Sequence, residues 1–389
     1  MTLVLMLRSV GAITFGLLSD RFGRKWPFVI CNIMFIVIEL ATGFCKTYEQ
    51  FLGCRALFGV AMGGLYGNCV ATALEDCPLK ARGIMSGFLQ MGYVAGYLFA
   101  TIFARAFVDT TSHGWRPLFW FGACPPVLII IWRLCLPETD AFIKRERVKQ
   151  ANKEVVGTFF EQIVDSARSH WMLLIYLFLI LAGLQFQSHG TQDLYPTLLR
   201  VQFGFNANQV TITNSVANIG GFIGGLTFGW LSDVFGRRLT FIFTFFCSGA
   251  LLYPYTFVTT TSTAAVAFFL QFFLEGALGL VPIHMLELSP PSLRASAVGT
   301  MYQLGNLASS ASITIEAKLG ERFPLPSKVA GVKRYNYGLV ICIFAACCMV
   351  FNIVVVFLGP ENRGASFDVE DDPKMKKLVG ENAHKMVVV

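Results

Sequence analysis

The sequence predicts an all-α polytopic membrane protein made of two pseudo-symmetric helix bundles. Three observations carry that prediction. Of the 389 residues, 54% are hydrophobic and only 14% are charged, and the mean hydropathy is +0.59; a soluble domain of this size does not sustain such a composition. Eleven apolar segments, at about 1–18, 26–44, 51–74, 84–106, 117–136, 171–198, 208–230, 239–258, 263–285, 295–316 and 336–358, approach the length that crosses roughly 30 Å of hydrocarbon. The chain also repeats itself. Gly16-Leu17-Leu18-Ser19-Asp20-Arg21-Phe22-Gly23-Arg24-Lys25 recurs 213 positions on as Gly229-Trp230-Leu231-Ser232-Asp233-Val234-Phe235-Gly236-Arg237-Arg238. Glu75, Pro78 and Arg82 recur 212 positions on as Glu287, Pro290 and Arg294. Two independent motifs at one offset mark two homologous halves.

The segments fall into an N-terminal bundle over 1–136 and a C-terminal bundle over 171–358. The longest polar interruption, 137–170, holds Lys144, Arg145, Arg147, Lys149 and Lys153, and a charged tail runs over 359–389. The second half opens with the segment 171–198, ahead of its Gly-x-Leu-Ser-Asp motif, and the counterpart of that segment would precede Met1. The expectation is therefore eleven helices of a twelve-helix design, the first being absent. Thirty-seven Phe and 36 Gly suit lipid contact and close helix packing. The 11 Cys are scattered without disulfide or metal-ligand spacing and read as small core residues. No cleavable signal peptide is visible.

Orientation follows from Lys and Arg. If the helices alternate, Arg21, Arg24, Lys25, Lys80, Arg82, the 144–153 cluster, Arg237, Arg238 and Arg294 share one side, which reads as cytoplasmic together with the central loop and the tail. The formal net charge of +7 is then a loop bias and not a nucleic-acid footprint. The 317–335 loop, with Lys318, Arg322, Lys328, Lys333 and Arg334, falls on the other side against the rule.

Each repeated Gly-x-Leu-x-Asp-x-x-Gly-Arg motif combines glycines for a tight turn, cations, and an Asp able to meet a helix N-terminus or an Arg. A topology signal alone explains the cations but not Asp20 and Asp233 at matched positions. The pair resembles the loop signature of the major facilitator superfamily, over the whole chain. The resemblance implies the major facilitator fold and membrane transport, with Asp20, Arg24, Asp233 and Arg237 as a conformational gate. Arg55, in Arg55-x-x-x-Gly59-x-x-x-Gly63, reads either as an interfacial Arg or, by that resemblance, as part of the gate's charge relay. Pro137-Glu138-Thr139 and Pro360-Glu361-Asn362 resemble the ends of the two halves in sugar-porter-like members.

The polar stretch Gln185-Phe186-Gln187-Ser188-His189-Gly190-Thr191-Gln192-Asp193 ends the sixth segment. On a helix, Gln185, Ser188, His189, Gln192 and Asp193 fall within an arc of roughly 140°, and His189 and Asp193 can meet one turn apart. Such a face is either a helix end emerging into water or a site lining a cavity. Ser188-His189-x-Thr191-Gln192-Asp193-x-x-x-Thr197, with Gln185 ahead of it, resembles the signature of the fungal Jen-type carboxylate–proton symporters, Gln185 standing where that family has Asn. The resemblance implies transport roles for Gln185, His189 and Asp193, and places Ser188, Thr191 and Gln192 at the substrate.

Arg8 sits mid-segment and suits a carboxylate, which a guanidinium binds through two parallel hydrogen bonds; a snorkelling Arg is the plainer reading. Gln303 and Asn306 share a face of the tenth segment, where they either donate to substrate or bridge helices; the family resemblance favours substrate. Gln90 and Tyr93 are further pocket candidates. Met91, Phe88 and the Phe-rich runs read as packing or lipid contact. Glu39, Glu275 and His284 are candidate relay members, with exposure at a helix end the plainer reading for His284.

Together these residues predict proton-coupled symport of short-chain mono- or dicarboxylates by alternating access across the plasma membrane. Arg8, Gln185, Gln192, Gln303 and Asn306 would hold the carboxylate. The His189/Asp193 pair would take the proton, His being the side chain whose ordinary titration lies near physiological pH. The expectation includes no enzyme activity, no metal and no cofactor beyond the coupling proton. The partners are a small carboxylate, protons and the bilayer, with no nucleic acid, and the protein acts as a monomer. A sugar or polyol porter, a non-transporting nutrient sensor and a non-functional fragment are the alternatives. Arg8 and the His189/Asp193 cluster argue against a neutral substrate, and the short tail argues against a sensor.

Overall fold

In the computed structural model, the described residues are 2–108, 112–151, 161, 164–165, 168–259, 262–290, 293–326, 334–365 and 367. Lys153, Lys328, Lys333 and the tail beyond residue 367 lie outside them. The first half runs through α1 (Thr2–Phe22), α2 (Lys25–Phe44), α3 (Tyr48–Leu74), α4 (Arg82–Val108), α5 (Arg116–Gly122) and α6 (Cys124–Cys135). Within the central polar interruption, α7 spans Asp140–Ala151. The second half holds α8 (Trp171–Gln192), α9 (Ala207–Phe235), α10 (Arg237–Ala250), α11 (Leu252–Phe257), α12 (Thr263–Leu288), α13 (Arg294–Ser309), α14 (Ser312–Gly320) and α15 (Tyr337–Leu358). A two-residue antiparallel pair, Pro324–Leu325 with Arg334–Tyr335, closes the loop before α15.

Local chemistry sets the helix ends. Thr47 caps α3 by accepting the Gln50 N–H at 3.3 Å, and Asn206 and Gln209 form a reciprocal capping box on α9. Gly23 and Gly236 end α1 and α9 at φ +97° and +96°. Only glycine takes that conformation without strain, so the repeated Gly of the motif is a turn requirement. Three expected spans are each broken into two helices: at Gly122–Ala123 between α5 and α6, at Leu251 between α10 and α11, and at Ser310–Ala311 between α13 and α14.

Among the described residues, eight helices or helix pairs are long and apolar enough to cross a membrane by length and composition. The other three expected spans, α4, α9 and α13–α14, take part in the packing between the halves: α4 packs on α9, and α13 packs on α1 and α3. Their polar and small residues lower the hydropathy, and the small ones serve the close packing between the halves. Gly83 and Gly87 lie against Gly229 and Gly225, and Gly67 lies against Ala295 and Gly299. Backbones this close leave no room for a side chain, so the seams between the halves are written in glycine.

One seam contains a repair. Pro282 lies inside α12 and interrupts its backbone ladder. Ser86 of α4, fully buried, donates its hydroxyl to the Gly279 carbonyl at 2.7 Å and accepts the Ile283 N–H at 3.0 Å. A hydroxyl from one half thus bridges the rung beside the proline, between Ile283 and Gly279, of a helix in the other.

Candidate functional site

The two repeated motifs face each other at one end of the bundles, the motif face. Arg24 is fully buried; it donates to Asp20 at 2.7 Å and to both oxygens of Glu75 at 2.8 and 3.4 Å. Burial works against its charge, but Glu75 and Asp20 outweigh that and lift the guanidinium above its ordinary range. Arg237 repeats the arrangement, reaching Asp233 at 2.8 Å and both oxygens of Glu287 at 3.0 Å. Each Asp also crosses to the other half. Asp20 accepts the Ala295 and Ser296 N–H groups at 3.3 and 2.9 Å, at the start of α13. Asp233 accepts the Gly83 N–H at 2.9 Å, at the start of α4. Each carboxylate therefore caps a helix N-terminus belonging to the opposite bundle.

The Pro-Glu ends serve the same face. Glu138 accepts the Lys25 N–H at 3.0 Å, and Glu361 accepts the Arg237 N–H at 2.7 Å, so each caps the helix that follows a motif. Beyond Glu361 the chain crosses between the halves. Gly364 N–H donates to Glu287 at 3.1 Å, Arg82 donates to the Ala365 carbonyl at 2.7 Å, and Arg363 donates to the Asp233 and Val234 carbonyls. The Phe367 ring, 4% exposed, lies 3.7 Å from the Arg82 guanidinium carbon and 4.7 Å from that of Arg294. Sequence reasoning missed Phe367, which carries no periodic signal.

Arg55 does not join this cluster. It lies in the first turns of α3, at the end away from Leu74 and Glu75, where it donates to Glu39 at 3.2 Å and Thr42 at 2.9 Å. Phe58 and Phe119 rings lie 4.4 and 4.9 Å from its guanidinium carbon. Glu39 is thereby this arginine's partner and stands apart from the His189/Asp193 pair.

Between the motif face and the opposite one, residues of both halves converge. Arg8 of α1 has no ion pair among the described residues, and its buried Nε has no hydrogen-bond partner. Its titratable neighbours are Tyr302 of α13 and Tyr93 of α4. Tyr93 in turn neighbours Glu275, Tyr302 and Asp193. It is nonetheless 52% exposed, so its free surface faces the space between the halves. Tyr97, one turn further from the motif face, is 49% exposed, and that stretch of α4 leaves open space beside Gly92 and Gly96. On the motif side of this space Tyr66 of α3 stacks on Tyr302 at 3.7 Å, and Gln90 is hydrogen-bonded to both hydroxyls at 3.1 and 3.3 Å.

The predicted face of α8 divides. His189 Nδ1 and Asp193 Oδ2 are 3.0 Å apart, with side chains 13% and 29% exposed. Gln192 donates to Glu275 at 2.6 Å and to Gln271 at 3.1 Å, both on α12. Gln185 is buried and its Nε2 has no partner among the described residues. Ser188 is buried, and the Thr191 hydroxyl donates to the carbonyls of Gln187 and Ser188 within its own helix. Gln303 and Asn306 are buried and bonded to each other at 3.3 Å, while the Gln303 carbonyl accepts from Ser9. The structure thus brings Arg8, Gln192, His189 and Asp193 around one space with Tyr93, Tyr302 and Glu275, and engages Thr191, Gln303 and Asn306 within the protein. His284 is not at an exposed helix end: it is 1% exposed and its Nε2 lies 3.2 Å from the Tyr176 hydroxyl, because α12 is enclosed at this level. Met91 packs against Gly225, while Phe88 is exposed. Of the cysteines, Cys124, Cys135 and Cys347 are exposed on outward helix surfaces and are not core residues.

Two pseudo-symmetric bundles, of five and six described spans, closed at one face by matched charge clusters, have the architecture of a membrane transporter. The family described as sugar (and other) transporter matches residues 1–371, and the chain belongs to it, within the major facilitator superfamily. Among curated relatives, the carboxylic acid transporter protein homolog of Saccharomyces cerevisiae is 40% identical over 97% of this chain. The chain spans 64% of that relative's length. The cis,cis-muconate transport protein of Acinetobacter baylyi is 27% identical, over 78% of this chain and 73% of its own. Among solved structures, a double-Trp mutant of XylE superposes with a TM-score of 0.73 at 15% identity, over 97% of this chain and 87% of that one. The human organic anion transporter MFSD10 does so with a TM-score of 0.70 at 14% identity, over 92% and 82%. These relatives and neighbours are transporters and not enzymes.

Proposed function

We propose that this protein moves short-chain mono- or dicarboxylates, of the lactate, pyruvate and succinate class, together with protons across the plasma membrane by alternating access. The observation that carries the reading is Arg8, a guanidinium with no ion pair among the described residues, set in a space shared by both halves. A cation left unpaired inside a membrane protein is costly unless an anion completes it. A carboxylate fits its two parallel donors. Gln192 and the Tyr93 and Tyr302 hydroxyls supply further polar contacts from both bundles.

The proton enters at His189/Asp193, which border the same space and stay partly open to solvent. Anion and proton together leave the cavity with less net charge than either alone, so the halves rock when both or neither is bound. The geometry described is the state sealed at the motif face. Its basic loops support a cytoplasmic placement of that face, and on that placement the exposed Tyr93 and Tyr97 line the way outward. The relatives named for carboxylic acid and muconate transport support an organic-anion substrate. The protein works as a monomer, one cavity per chain.

The test is uptake of labelled lactate, succinate and glucose by cells displaying the protein, with external pH recorded. Carboxylate accumulation accompanied by alkalinisation of the medium is expected. Glucose uptake with no carboxylate uptake would overturn the reading.

A further inference from the structure

Glu316 lies on α14, which packs against α8 and α15. It is 0% exposed, and neither carboxylate oxygen has a hydrogen-bond partner among the described residues. Gly190, the neighbour of His189 on α8, is pressed against it: a Cβ there would stand 2.9 Å from Glu316 Oε1. The titratable groups facing it are Asp193 of α8, Tyr255 of α11 and Cys348 of α15. Asp193 in turn lies 3.0 Å from His189. Lys318, on its own helix, is exposed. No cation and no donor therefore balances a negative charge at this place, and a buried carboxylate without either is far costlier than the neutral acid. Structural carboxylates in this protein look different: Glu75, Glu138, Glu287 and Glu361 all hold arginines or helix N-termini. Glu316 holds neither, so stability does not account for it.

We propose that Glu316 is a second proton site of the transport cycle, exchanging its proton with the His189/Asp193 pair. In the exchange an O–H bond forms on Glu316 as an N–H bond on His189 or an O–H bond on Asp193 breaks, directly or through one water. The partly exposed pair collects the proton and the buried carboxyl stores it. A stored proton alongside one on the pair lets a dianion travel with two protons. The inference rests on the proton-coupled reading above.

The first measurement needs no substrate. Infrared difference spectra of the purified full chain, recorded as pH is stepped, follow the carbonyl stretch of protonated carboxyl groups. A titrating band that disappears in Glu316→Gln, and moves but persists in Glu316→Asp, is the expected result. The second measurement is succinate accumulation against external pH. Glu316→Gln should lose at least tenfold in accumulation and show a flattened pH profile, with substrate exchange at equal pH retained, and Glu316→Asp should restore pH dependence. If Glu316→Gln does not assemble, the band shift in Glu316→Asp carries the assignment. A protein that accumulates carboxylates with no titrating band from Glu316, or with an unchanged pH profile in Glu316→Gln, overturns this inference and leaves the transport reading intact. A titrating band in a protein that moves no carboxylate overturns the transport reading instead.

Discussion

Asp20 accepts the backbone N–H of Ser296 at 2.9 Å, a contact between residues 276 positions apart that joins the two halves of the repeat. Its mirror is Asp233 with Gly83. Each is a helix cap supplied by the other bundle, so the proposed rocking of the bundles must break both at once. A cap of this type contributes about 0.5–2 kcal/mol. Asp20→Asn or Asp233→Asn should therefore shift the balance away from the sealed motif face and slow net uptake several-fold. Substrate binding to purified protein should stay within about threefold, RT ln 3 being below the size of one net hydrogen bond. Lost binding in protein that still reaches the membrane would exclude the gate role.

Arg8 offers a sharper test of substrate recognition. Lys keeps the charge but not the paired donors. Losing one charge-assisted hydrogen bond costs roughly 1.5–3 kcal/mol, about ten- to a hundredfold in affinity. Arg8→Lys is expected to be nearly as damaging as Arg8→Ala when lactate affinity is measured by competition. Near-normal affinity in the Lys variant would reduce Arg8 to a bystander.

His189 and Asp193 are expected to govern accumulation more than exchange. With His189→Ala, uphill uptake driven by an inward proton gradient should fall by an order of magnitude or more, while exchange of labelled for unlabelled lactate at equal pH persists. Asp193→Asn removes the acceptor of the 3.0 Å contact and should shift the dependence of initial uptake on external pH. Profiles that overlay wild type for both variants, at matched surface levels, would place the proton path elsewhere.

Ser86 makes a prediction about stability. Ser86→Ala leaves the Ile283 N–H and the Gly279 carbonyl facing each other across a gap in a dry helix seam. Leaving a buried group of this kind unpaired costs about 1–3 kcal/mol. Thermal unfolding in detergent should drop accordingly. Pro282→Ala removes the ring that distorts this turn and lets the Ile283 N–H reach the Gly279 carbonyl directly, so the double variant should lose less than the two single losses added. Simple additivity would show that the hydroxyl is not bridging that rung.

Phe367 ties the end of the chain to both bundles through Arg82 and Arg294. Phe367→Ala should make the motif face more accessible: a cysteine placed at Ser296 should react faster with a membrane-permeant maleimide. Unchanged labelling would leave Phe367 as packing alone.

What the sequence determined by itself was whatever repeats or recurs at short range. Hydropathy marked the spans because each must fill the same thickness of hydrocarbon. The 213-position echo of Asp20 in Asp233 revealed two halves, and the four-residue step from His189 to Asp193 fixed a pair that one turn of helix brings together. Tertiary structure decided everything that depends on which helix stands beside which. Asp20 and Asp233 are alike in sequence, but only packing shows that each caps the opposite half. Arg55 and Arg24 both stand near helix ends, yet they pair at opposite ends of α3, with Glu39 and with Glu75. His284 reads as an exposed end and is enclosed by Tyr176 and Phe241. Pro282 disturbs the α12 ladder, and the hydroxyl that bridges the next rung comes from Ser86, 197 positions from Ile283. Periodicity is a property of one helix, whereas burial, partnership and the isolation of a carboxyl such as Glu316 are properties of the several helices around it. No local pattern in the chain records those.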